Sequence, residues 1–82
     1  MQYALEFKPQ SLKDLKIIPQ VQQRRIIHSI EDLCCNLTGD VKRLTNFSPE
    51  HRLRVGAYRI LFAIDNNRLI IYRILHRKDA YR

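Results

Sequence analysis

Gly56-Ala57 stands between two strand-like segments, Arg52–Val55 and Tyr58–Ile64. A glycine at the first central position is the mark of a two-residue type II′ hairpin turn, and a turn of fixed length leaves its strands one register. Val55 then faces Tyr58, Arg54 faces Arg59, Leu53 faces Ile60 and Arg52 faces Leu61. Side chains alternate across a sheet, so Leu53, Val55, Tyr58, Ile60, Phe62 and Ile64 share one face while Arg52, Arg54 and Arg59 share the other. The first face predicts a core; the second gathers three guanidinium groups with no counter-ion in view.

The rest of the chain supplies what must cover that core. Tyr3, Leu5 and Phe7 alternate over residues 2–7, the period of a half-buried strand ended by Pro9. Leu12, Leu15 and Ile18 make a short helical stripe over residues 10–18, with Ser11 as its expected cap and Pro19 as its stop. Ile26, Ile30, Leu33 and Leu37, flanked by Ile27 and Cys34, follow helical spacing through residues 20–37. Gly39 fits just past that helix. Residues 41–45 read as a short strand, Asn46 to Glu50 as a loop and Leu69–Leu75 as a last strand beyond the Asp65–Arg68 turn. The order β-α-α-β-β-β-β predicts an α+β fold, a small, mainly antiparallel β-sheet with both N-terminal helices packed on one face. The 82 residues suffice for a single domain.

Charge is distributed unevenly. Residues 1–41 hold five basic and five acidic side chains, whereas residues 42–82 hold ten basic and three acidic, so the second half carries the whole net charge of +7. Eight of those ten are arginine, whose planar fork grips phosphate oxygens at two points where lysine offers a point charge. Phosphate recognition is therefore favoured over charge for solubility alone. The opening Met1-Gln2-Tyr3-Ala4-Leu5 has neither a basic leader nor a long apolar run, and no segment approaches the roughly 18 apolar residues of a membrane span. A cytoplasmic chain without a membrane partner is expected. Cys34 and Cys35 are adjacent in a helical pattern, so their side chains diverge and cannot bridge without strain. Neither they nor His28, His51 and His76 show metal-site spacing, so no metal or other cofactor is expected.

A lone arginine on an exposed strand serves solubility and discourages edge pairing. Three on one face repel one another, and any single replacement would relieve the repulsion, so their grouping points to a bound anion. Whether Arg73 joins them depends on the Asp65–Asn67 turn: three residues place it beside Arg59, two or four bury it. The tail His76-Arg77-Lys78-Asp79-Ala80-Tyr81-Arg82 follows the last strand and is expected near the cluster. There His76 would exchange protons near neutral pH, and Tyr81 would stack on a base or donate its hydroxyl. Lys42, Arg43, Lys78 and Arg82 extend the candidate phosphate-binding set beyond Arg52 and Arg73.

The segments Leu53-Arg54-Val55-Gly56-Ala57-Tyr58-Arg59-Ile60-Leu61-Phe62 and Arg73-Ile74-Leu75-His76-Arg77-Lys78-Asp79-Ala80-Tyr81-Arg82 resemble the RelE/ParE superfamily of type II toxins, and its RelE-like branch in particular. Gly39-Asp40-Val41-Lys42-Arg43-Leu44 fits the strand that family places after its second helix. The resemblance spans essentially the whole chain and implies messenger RNA cleavage in the ribosomal A site, with a neighbouring antitoxin as inhibitor. By position it implies that Arg52, Arg54 and Arg59 bind the scissile phosphate, and that Arg77 and Tyr81 act from the tail, the tyrosine against a base. The basic pair is arginine here where lysine is common, and the tail is shorter than in some members.

The implied reaction is attack of a ribose 2′-hydroxyl on the adjacent phosphorus, leaving a 2′,3′-cyclic phosphate and a 5′-hydroxyl. Arginines remain charged and so stabilise charge without acting as bases. Proton transfer falls to His76, to Tyr81, or to the RNA and ribosome. A ParE-like gyrase inhibitor without nuclease chemistry is the alternative within the superfamily, and a non-catalytic RNA-binding module would need only the charged face.

Overall fold

The computed structural model describes residues 3–36, 39–44 and 49–80. Strand β1 (Ala4–Phe7) leads into helices α1 (Pro9–Lys16) and α2 (Gln20–Asn36), followed by β2 (Asp40–Arg43), β3 (His51–Val55), β4 (Tyr58–Asp65) and β5 (Arg68–His76). The five strands lie in the order β1-β5-β4-β3-β2. Three neighbouring pairs are antiparallel, and β1 joins β5 in parallel. No described helix is long and apolar enough to cross a membrane.

Proline sets the start of α1 differently from the expected serine cap. Pro9 occupies the first turn, where its missing N–H would be unsatisfied in any residue, and it holds Lys8 extended at φ −69° and ψ 148°. Lys8 is thus the N-cap. Ser11 lies one turn in, fully buried, and its hydroxyl donates to the Lys8 carbonyl at 2.7 Å. At the other end Gln23 donates from Nε2 to the carbonyls of Leu15 and Ile18, at 2.9 and 2.8 Å, tying the end of α1 to the first turn of α2.

Helix α2 buries Ile26, Ile30, Leu33 and Cys34 against Leu53, Val55, Ile60, Phe62, Leu69, Ile71 and Ile74 of the sheet. Leu15, Ile18, Tyr3 and Phe7 close the margins of this core, while Leu5 remains 39% exposed. Each fully buried aliphatic or phenyl side chain contributes about 1.5–3 kcal/mol, so this one layer supplies most of the driving force. Tyr3 donates its N–H to the Cys34 carbonyl and accepts from the Cys34 thiol, which joins β1 to the end of α2. Cys34 is buried and Cys35 half-buried, and no disulfide joins the two. Leu37, the last residue of the expected helical stripe, and residues 45–48 of the expected β2 end and loop lie outside the described residues.

One irregularity shapes the far face. Asp65 pairs with Arg68 around a two-residue turn, and the register runs unbroken to Phe62 opposite Ile71. It then slips by one, so that Leu61 faces Arg73 and Tyr72 is the extra residue of a bulge. The slip lets both Ile71 and Ile74, three residues apart, face the core.

Candidate nucleic-acid interface

The β3–β4 hairpin adopts the register its turn dictates: Val55 opposite Tyr58, Arg54 opposite Arg59, Leu53 opposite Ile60 and Arg52 opposite Leu61. Gly56 has φ +58°, and Ala57 is not in the positive-φ region, as a type II′ turn requires. Strand β2 extends the basic face by placing Lys42 opposite Arg52. Lys42, Arg52, Arg54 and Arg59, with Leu44, line a shallow cleft of about 380 Å³.

The face does contain a counter-ion. Asp40 lies opposite Arg54 and its carboxylate comes within 3.5 Å of Arg52, whose Nη1 also donates to the Asp40 carbonyl at 3.1 Å. The periodicity of residues 41–45 alone starts the strand after Asp40, whereas β2 begins at Asp40 and so brings its carboxylate onto the basic face. Four cations against one anion still leave the cleft strongly positive. Arg52 is 11% exposed, and its Nε–H is buried without a partner among the described residues. Arg59 donates from Nη1 to the carbonyls of Gly56 at 2.9 Å and Tyr58 at 3.0 Å, which folds its guanidinium back along the hairpin. Arg54 is exposed beside it.

The other predicted residues divide by face. Arg43 pairs with His51, so alternation turns it away from Lys42 and the cleft. His76 pairs with Tyr58 and shares the core side of the sheet. Its ring meets Tyr58 edge-on at 5.5 Å and its Nδ1 accepts the Lys78 N–H at 3.3 Å. The expectation that His76 stands beside the arginines is corrected by this register: the sheet separates them. Arg77 donates its backbone N–H to the Ala57 carbonyl at 2.7 Å, which fastens the start of the tail to the turn bearing Arg59. Arg77 and Lys78 are exposed, and Tyr81 and Arg82 lie outside the described residues. Among the described residues no three His, Cys, Asp or Glu side chains gather as a metal site.

Comparison with known proteins places this sheet in a family. The chain matches the family described as the ParE toxin of type II toxin-antitoxin system, parDE, over residues 5–81. The chain belongs to this toxin family. Toxin RelE3 of Methanocaldococcus jannaschii is 37% identical over 76 residues, covering 85% of either chain. The crystal structure of a RelB-RelE antitoxin-toxin complex from Methanococcus jannaschii matches with 34% identity and a TM-score of 0.78, over 93% of this chain and 94% of that one. The archaeal RelE-RelB complex from Pyrococcus horikoshii, at 23% identity, shares the fold with a TM-score of 0.80 over 98% of this chain and all of its counterpart. The expected RelE/ParE resemblance and α+β fold are thus established, and the chain is a RelE-type toxin of the type II toxin-antitoxin class.

The toxin fold holds Arg73 apart from the cleft. The bulge brings it opposite Leu61, and Asp14 of α1 grips its guanidinium from two sides, Nε to Oδ2 at 2.7 Å and Nη2 to Oδ1 at 3.0 Å. Oδ2 also accepts the Ile74 N–H at 3.0 Å, on the stretch of β5 beyond its pairing with β1. Burial alone raises the Asp14 carboxyl pKa. The Arg73 hydrogen bonds, the Ile74 N–H and the arginine charge outweigh that effect and hold it below the ordinary carboxylate range. The two-residue turn would by itself have buried Arg73, but the bulge at Tyr72 returns it to the outer face opposite Leu61. The expected apolar stripe of Leu12, Leu15 and Ile18 gave no sign of this partner: the buried positions of α1 are Ser11 and Asp14, while Leu12 is 46% exposed.

Proposed function

We propose that this toxin is an endoribonuclease that cuts messenger RNA in the ribosomal A site, acts in the cytoplasm and is neutralised by a cognate antitoxin. The observation that carries the reading is the convergence of Lys42, Arg52, Arg54 and Arg59 on one cleft of the sheet. Such a site binds a phosphodiester and, more importantly, stabilises the extra negative charge that phosphorus acquires as the 2′-hydroxyl oxygen attacks. The new bond closes a 2′,3′-cyclic phosphate, the bond to the 5′ oxygen breaks, and that oxygen leaves as a hydroxyl.

Arg54 and Arg59 contact the reacting phosphate, and Arg52 and Lys42 hold the strand. Arg77 and Tyr81 act from the tail, the tyrosine stacking on a base. With His76 on the other side of the sheet, the proton from the 2′-hydroxyl passes to Tyr81 or to groups of the RNA and ribosome. An enzyme short of its own base depends on substrate positioning by the ribosome and should cut free RNA only weakly. The antitoxin proposal draws on the solved RelB-RelE complexes that this chain resembles.

A second reading follows from the matching family model, which bears the ParE name: a gyrase inhibitor using the same basic face without nuclease chemistry. Adding the purified toxin to translating ribosomes and mapping 5′ ends of the message separates the two. Discrete cuts within A-site codons support the nuclease; intact message with inhibited supercoiling supports the alternative.

A further inference from the structure

A larger groove adjoins the arginine cleft on the same side of the sheet. Leu61, Leu75 and Ala80 form its apolar part, Tyr72 lies on the bulge, and Lys8 and Lys13 of the α1 end stand at its rim. Its volume of about 800 Å³ is within the range of small-ligand sites. The groove is continuous with the cleft because Leu61 faces Arg52 and Leu75 faces Arg59 across the strands. At ordinary strand spacing Tyr72 lies two strands, or about 10 Å, from Arg52.

Two features suit this groove to a nucleobase. An extra residue in a strand re-aims a side chain, and here it sets a half-buried tyrosine against the groove while the next residue, Arg73, is pinned by Asp14. The Lys8 ammonium lies 5.4 Å from the Tyr72 ring centroid, so the aromatic surface and a cation for the neighbouring phosphate come as one unit. The Asp14 pairing neutralises Arg73, leaving Lys8 and Lys13 against Asp79, a net positive rim that attracts an anionic chain, and the Tyr72 ring, which offers a base a stacking surface, favours a nucleotide strand over an acidic peptide.

We propose that Tyr72, with Lys8 at its ring, is a base-binding subsite that receives a nucleotide flanking the phosphate held by the arginines. The proposal rests on the ribonuclease reading and adds to it a second aromatic position besides Tyr81.

The test uses the full chain and a fluorescent 2′-O-methyl RNA tetranucleotide, which cannot be cleaved, with each base removed in turn. Binding is measured for wild type, Tyr72→Phe, Tyr72→Leu and Arg54→Ala, each checked for an unchanged unfolding midpoint. Tyr72→Phe should bind within about twofold of wild type, and Tyr72→Leu should bind about 5- to 100-fold more weakly, the range of one lost base stack. Removing one particular base should weaken wild type to a similar degree and leave Tyr72→Leu unaffected, a coupling that general damage to the fold would not produce. If Tyr72→Leu binds like wild type, or no base position couples to it, while Arg54→Ala loses affinity, the subsite is wrong and the arginine reading stands. If wild type itself fails to bind, both fall.

Discussion

Arg54 and Arg59 face each other across the hairpin, and neither side chain enters the core. Replacing either with alanine should lower message cleavage by about 10²–10³, the usual loss for one donor to a developing oxyanion, with little change in unfolding midpoint. The role proposed for Tyr81 can be tested in the same assay. Tyr81→Ala should cost about ten- to a hundred-fold in cleavage, and Tyr81→Phe should retain activity if the ring stacks and lose it if the hydroxyl carries the proton. Asp14 makes a different prediction, because its carboxyl is held below the ordinary range by Arg73 and the Ile74 N–H. Its contribution is complete above the unfolded value of about 3.9 and is lost as pH falls through the lower folded value. Denaturation of wild type and Asp14→Asn should therefore differ by about 1.5–3 kcal/mol near neutral pH, with the difference closing below pH about 4.

The connection from α2 to β2 depends on Gly39, whose φ of +128° suits glycine alone. A Cβ there would lie 2.8 Å from Leu53 Cδ1, inside the core, so backbone strain and overpacking add. Gly39→Ala should cost at least about 1–3 kcal/mol, read from the denaturant midpoint. Elements whose signals are local were legible in the sequence: the Gly56-Ala57 turn fixed the β3–β4 register, and the Ile26, Ile30 and Leu33 stripe fixed the buried face of α2. Elements that depend on distant partners were not. The parallel pairing of β1 with β5 joins the two ends of the chain, and the bulge at Tyr72 is set by fitting Ile71 and Ile74 into one core. The site divides in the same way. Arg52, Arg54 and Arg59 follow from one hairpin, whereas the Asp40 counter-ion needs the β2 register, and the displacement of His76 needs the slip in β5. Tyr81 and Arg82 are outside the described residues, so their place in the site rests on the family resemblance.

At the scale of the whole molecule, the charge of +7 resides in the half that builds the sheet, and the basic cleft and the Tyr72 groove open on the same face. One face thus carries the proposed phosphate site, and the opposite face is given to α2 and the core. An inhibitor that covers the basic face need only be acidic or amphipathic, folding as it binds. Co-expression with the product of the adjacent gene should restore growth and yield a complex whose stability falls with added salt. The central claim, that the arginine cleft cuts messenger RNA, is tested most directly by 5′-end mapping on translating ribosomes with wild type, Arg54→Ala and Arg59→Ala in parallel. Discrete cuts at A-site codons by wild type, reduced about 10²–10³ in rate by either substitution, are the predicted result. Uncut message with wild type, or equal cutting by all three proteins, would contradict it.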